Sequence, residues 1–201
     1  PYNILAITFT NKAANEMKER IERYIGSQSV WTSTFHSMCA RMLRYDADRI
    51  GYSTDFTIYT DLESERVVKR VLQDYPQADP KNKGDYLWHI SRAKTLALLP
   101  DAYYDAIKND DNDAYNIYQV YARYEEELKK CNCMDFDDLL LKTVKLFSEC
   151  PDVLEKYQRR FQYICVDEFQ DTNKLQYDIV KLLSKKSGNL FVVGDEVQSL
   201  Y

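Results

Sequence analysis

The apolar positions of this chain follow two rhythms: short uninterrupted runs, and longer stretches in which they recur every third or fourth residue. The first short run covers residues 3–9 and is followed by Thr10 and Asn11, either of which can cap a helix. A buried strand leading into a helix is predicted there, with Ala14, Met17, Ile21 and Tyr24 along one helical face and Gly26 as the stop. Residues 30–35 form a second β-branched and aromatic run, followed by a helix predicted over 37–50 and closed by Gly51. Phe56, Thr57, Ile58 and Tyr59 make a third apolar run.

Strand signals then stop until residue 163, a span long enough for a helical subdomain. Amphipathic stretches occupy 62–75, 86–98, 102–107, 114–130, 136–147 and 153–161, set apart by Asp61, Pro76, Pro80, Pro100 and Pro151. Strand grammar resumes at 163–166, a helix is predicted over 173–183, and the run 189–193 ends in Gly194 and Asp195. The order is αβ, a long all-helical insertion, then αβ again. Strands alternating with helices predict an α/β fold built on a parallel sheet with helices on its faces.

Composition adds bounds. With 201 residues, 45% hydrophobic and 29% charged, the chain has the balance of one large globular domain or two small ones. A net charge of −5 counts against phosphate contacts, but a local groove of cations can sit on an acidic protein. No stretch is long and apolar enough for a membrane helix, and the first residues carry no secretion signal. With an odd number of Cys, five, the expectation is a cytoplasmic protein with reduced thiols. The Cys131-x-Cys133 pair has no second ligand pair at zinc spacing.

Ligands of open parallel sheets gather at the carboxyl ends of the strands. Four such ends are polar here: Thr8 to Lys12, Thr34 to Ser37, Asp167 to Asp171, and Gly194 to Ser199. At the third, Asp167 can hold Mg²⁺ through water, and Glu168 beside it can polarise an attacking water. Two adjacent acids can equally do no more than favour the start of the following helix. Gln198 offers a donor and an acceptor to a γ-phosphate and a water; His36 can donate to a phosphate or base; Phe9 and Tyr201 are stacking platforms for unpaired bases. The phosphate cradle G-x-x-x-x-G-K-[ST] is absent, because none of the five glycines precedes a Lys.

Read together, these segments resemble the ordered motifs of the UvrD/PcrA/Rep-type helicase family. ITFTNKAANEMKERI (residues 7–21) resembles the motif that contacts single-stranded DNA, and STFHSMCARMLR (33–44) the TFH element after it. MDFDDLL (134–140) resembles the acidic signature of the helical insertion, and YQRRFQYICVDEFQDTNKLQY (157–177) the Walker B region. VVGDEVQSLY (192–201) resembles the motif that couples nucleotide state to DNA, with Val197 where the family usually has an acid.

The resemblance implies an ATP-dependent DNA helicase, moving 3′ to 5′ on single-stranded DNA, opening duplex junctions and serving DNA repair or replication. It implies ATP and Mg²⁺ as cofactors, with Asp167 for the metal, Glu168 as catalytic base and Gln198 as γ-phosphate sensor. Phe9, Thr10, Asn11, His36 and Tyr201 would line the DNA path. A partial RecA-like core over 1–35 and 160–201 and a helical insertion over 36–159 are expected. So is a truncated piece, inactive alone as an ATPase, whose phosphate loop and second motor domain lie outside it. Alternatives are a helicase–nuclease subunit, a non-catalytic DNA-binding module, and a metal nuclease site built on Asp167, Glu168 and Asp171.

Overall fold

A computed structural model describes residues 1–26, 30–75 and 83–195. The chain divides into two compact units, residues 1–50 with 142–201, and residues 51–141.

The first unit is built on a four-stranded sheet, ordered β2-β1-β5-β6 and parallel throughout. Its strands are β1 (Ile4–Thr8), β2 (Trp31–Thr34), β5 (Tyr163–Val166) and β6 (Leu190–Val192). The central strand β1 is buried from Leu5 to Thr8, as a strand covered on both faces must be. Its register sets Ile7 beside Val166 on one side and Thr8 beside Thr34 on the other. Helix α1 (Asn11–Ile25) follows β1. Thr10 is its cap, the side-chain oxygen accepting from Ala13 N–H, and Gly26 ends it at φ 73° with its N–H on Glu22 O. Helix α2 (Phe35–Asp46) starts two residues earlier than the periodicity predicts, because Thr34 caps it through Ser37 N–H, and its tail tightens into a 3₁₀ turn over Ala47–Ile50. Helix α8 (Pro151–Arg160) enters with Pro at its first position, and α9 (Lys174–Ser184) is opened by a reciprocal capping box between Asn173 and Gln176. Trp31 and Phe161 meet edge to face at 5.2 Å, which ties β2 to the end of α8.

The second unit is helical, with α3 (Asp61–Val71), α4 (Lys83–Thr95), α5 (Pro100–Ile107) and α6 (Ala114–Lys130) around a shared apolar core. It also contains two short strands, β3 (Thr57–Ile58) and β4 (Cys133–Met134), paired in parallel. Here the sequence reading needs correction, since no strand is expected between residues 60 and 163. A two-residue strand has no room for an alternation to show, and β4 exists through its ladder with β3, Thr57 N–H donating to Asn132 O and Tyr59 N–H to Met134 O. The division between the units falls within α7 (Phe136–Glu149).

At the centre of the helical unit lies a cation. Lys94 is 0% exposed, and its ammonium sits 2.6 Å from Asp135, 2.7 Å from Glu125 and 3.0 Å from Asp138. Burial alone pulls its pKa down, but the surrounding carboxylates outweigh this and hold it well above its ordinary value. Asp135 also accepts from the Tyr124 hydroxyl at 2.9 Å, and at the start of α7 the backbone N–H groups of Asp135 and Asp138 each donate to the other's carboxylate. Two acids of the MDFDDLL segment therefore neutralise a buried lysine.

Two predictions follow from this packing. Replacing Lys94 with Met strands buried carboxylates and is expected to destabilise the protein by about 3–5 kcal/mol. Stranded carboxylates have raised pKa values, so urea denaturation should show the deficit shrinking as the pH falls and they protonate. At the β6 edge, Phe191 is 64% exposed and Leu190, Val192 and Val193 are also exposed. An open apolar edge templates further pairing. The 201-residue chain is therefore expected to self-associate with rising concentration, and Phe191→Lys to suppress it. A sedimentation profile that stays monomeric at high concentration would exclude this.

Candidate functional site

Because all four strands of the sheet run the same way, their carboxyl ends share one edge, and the residues after each strand become neighbours in the order of the sheet. Phe35 and His36 follow β2, Phe9 to Asn11 follow β1, Asp167 and Glu168 follow β5, and Val193 to Asp195 follow β6. The aromatic and His groups thus stand on the β2–β1 half of the edge and the acids on the β5–β6 half.

On the first half, Phe9 is half-buried and packs edge to face on buried Phe35 with ring centres 5.6 Å apart. Its exposed part is free to stack. Thr10 and Asn11 are exposed, and the Thr10 hydroxyl oxygen is already engaged as the helix cap at 3.1 Å from Ala13 N. What Thr10 can still offer is its O–H and a second lone pair. His36 is half-buried, and burial lowers its pKa, so near neutral pH the ring is uncharged and acts as one donor and one acceptor.

On the second half, the backbone holds the acids firmly. Asp167 N–H continues the ladder by donating to Ile7 O at 2.9 Å. Its Oδ1 accepts from Glu168 N–H at 3.1 Å. Glu168 is exposed and takes the left-handed conformation, φ 50°, which is uncommon for a residue with a side chain and costs on the order of 1–3 kcal/mol. Such strain persists only where the surroundings enforce it. Here Asp171 N–H bonds Glu168 O at 3.0 Å, and Phe169 N–H bonds Val193 O at 2.8 Å. The Glu168 carboxylate accepts from Gln170 Nε2 at 2.7 Å. Gln170 is the residue that sequence reasoning passes over, because a lone Gln in a loop carries no signal of its own. Its significance depends on two partners visible only in three dimensions.

Among the described residues no cluster of three or more His, Cys, Asp or Glu could enclose a metal ion. The donors at the strand tip are hard carboxylate oxygens, and Asp167 Oδ2 has no hydrogen bond among the described residues. One carboxylate beside open space suits Mg²⁺, which keeps several waters and shares its shell with substrate phosphates. Asp167 fits that role. Gln198, Tyr201 and Val197 lie outside the described residues. No helix among the described residues is long and apolar enough to cross a membrane.

The sequence matches the family model described as the UvrD/REP helicase N-terminal domain over residues 1–201. It is 48% identical to the ATP-dependent DNA helicase PcrA of Staphylococcus aureus over 208 aligned residues, covering 100% of this chain and 28% of that protein. The PcrA helicase of Staphylococcus epidermidis matches with the same identity and coverage. The chain therefore spans about a quarter of the length of these curated relatives. Its parallel sheet with accompanying helices is consistent with a RecA-like helicase domain. With a family match along its whole length and nearly half its residues shared with helicases of two species, the chain belongs to the UvrD/REP helicase N-terminal domain family.

Proposed function

We propose that this chain is part of an ATP-dependent DNA helicase that translocates 3′ to 5′ on single-stranded DNA and opens duplex junctions in repair or replication. The observation that carries the reading is the shared edge of the sheet. The Asp167–Glu168 pair stands beside the loop that begins at Gly194, and the Phe9–Asn11 and His36 ends lie along the same edge. The sheet unit is read as the partial ATPase core and the helical unit as its insertion.

In this reading Asp167, fixed by its hydrogen bond to Glu168 N–H, holds Mg²⁺ largely through water. Bound together with ATP, Mg²⁺ would supply neutralisation of the charge that develops on the transferred phosphoryl group. Glu168 takes a proton from the attacking water, and Gln198 senses the γ-phosphate. Phe9 stacks on an unpaired base, while Thr10, Asn11, His36 and Tyr201 line the strand's path. No phosphate cradle of the G-x-x-x-x-G-K-[ST] type occurs in the 201 residues, so the chain by itself is expected to hydrolyse ATP poorly.

The test is ATP hydrolysis by the intact protein with and without single-stranded DNA. DNA is expected to stimulate turnover, and Glu168→Gln to lower it by about 10²–10⁴-fold. An intact protein without DNA-stimulated turnover would show that the likeness to helicases is one of fold alone. Phe9→Ala is expected to weaken single-stranded DNA binding by roughly 1–3 kcal/mol, the worth of one stacked base. Fluorescence anisotropy with a labelled oligonucleotide measures this directly; unchanged affinity would remove Phe9 from the DNA path.

A further inference from the structure

Gln170 lies in the turn between β5 and α9, half-buried, and the two ends of its amide serve two different segments. Nε2 donates to Glu168 Oε2 at 2.7 Å. Oε1 accepts from Asp195 N–H at 3.1 Å. The orientation of the amide is dictated by its partners, because a carboxylate can only accept and a backbone N–H can only donate. The neighbouring backbone adds a second bond between the same segments, Phe169 N–H to Val193 O at 2.8 Å. Gly194 is the third part of the arrangement. A Cβ at this position would lie 2.7 Å from Gln170 Oε1 and 3.3 Å from its backbone N, so only glycine lets the loop approach this closely.

We propose that Gln170 is a positioning residue that aims the Glu168 carboxylate and makes its aim depend on where the loop beginning at Gly194 sits. This inference rests on the reading of Glu168 as the base. When the loop shifts, Asp195 N–H draws on Oε1, the amide turns, and the donor on Glu168 turns with it. One side chain thereby connects the loop that leads to Gln198 with the group that activates water.

The experiment is single-turnover ATP hydrolysis by the intact protein on single-stranded DNA, with apparent ATP affinity measured in parallel. Gln170→Ala is expected to lower the rate about 10–100-fold, the usual cost of a misplaced catalytic group, with ATP affinity little changed. Gln170→Glu keeps the size and the acceptor for Asp195 N–H but removes the donor to Glu168, and should lose rate as Gln170→Ala does, again with ATP affinity little changed. Gly194→Ala is expected to slow the reaction by itself and to add little in the Gln170→Ala background, where the side chain it collides with is gone. Glu168→Gln in the same assay separates the two levels. If it is inactive while both Gln170 variants keep the wild-type rate, or lose rate only through weakened ATP binding, the positioning role is overturned and the base stands. If Glu168→Gln remains active, the assignment of the base falls and this inference with it.

Discussion

The pairing of β1 with β5 is the constraint on which the rest of the sheet unit depends. It sets Ile4 beside Tyr163 and Ile7 beside Val166, residues brought together only after the chain has passed through the whole helical unit. Parallel pairing requires such a crossover, and it carries a closure cost that only burial can offset. The strand on which it is built supplies that burial, since Leu5 to Thr8 are covered almost completely. Once β5 lies against β1, the direction of every strand is fixed. The residues that follow them, scattered from Phe9 to Asp195 along the sequence, then share one edge.

The helical unit is organised by a different interaction. An apolar side chain of similar volume in place of Lys94 would require no carboxylates around it, and replacing a whole buried ion cluster by apolar groups is often neutral or stabilising. What the cluster supplies is direction. Lys94 on α4 is satisfied only when Glu125 of α6 and the Asp135–Asp138 turn that opens α7 are all in place, and Tyr124 adds a bond to the same Asp135. Apolar contacts tolerate sliding, whereas a cation shared by three carboxylates does not. The acidic segment at 134–140 is thus explained within its own unit by a lysine far from it in sequence.

Where local rules decide structure, the sequence is legible. The runs that become β1, β2, β5 and β6 are visible because each is a short apolar or β-branched stretch bounded by cap or turn residues, although β6 is exposed along its length. Thr10 is visible as a cap because it stands directly before an amphipathic stretch, whereas the cap of α3 falls at Thr60, one residue before the Asp61 that the pattern singles out. Features set by distant partners are not legible. β4 is two residues long and exists through β3. Helices α2 and α8 carry the same periodicity as those of the helical unit, so pattern alone cannot say that they belong with the sheet. Asp167 and Glu168 stand out as paired acids after an apolar run, whereas the left-handed turn at Glu168 and its hold by Gln170 leave no local trace. The two residues read as phosphate sensor and final stacking platform, Gln198 and Tyr201, lie outside the described residues.

The geometry of the edge also limits how its two halves could communicate. Asp167 N–H is bonded to Ile7 O, and Val193 N–H to Val166 O, so the strand ends are laced together by backbone hydrogen bonds up to the last residue before each loop. Strands held in this way do not slide past one another without breaking several such bonds at once, each worth about 0.5–1.5 kcal/mol net and more if left unpaired. Any change passed between the carboxylate half and the aromatic half must therefore be carried by the loops beyond the strands. Of these, the one after β1 is anchored at once by the Thr10 cap and the one after β2 by the Thr34 cap. The loop after β6 has exposed residues from Val193 to Asp195 and is held to the turn after β5 by the Phe169 and Gln170 bonds. Anchorage through one side-chain amide and one backbone bond joins the carboxylate to the segment that leads toward Gln198.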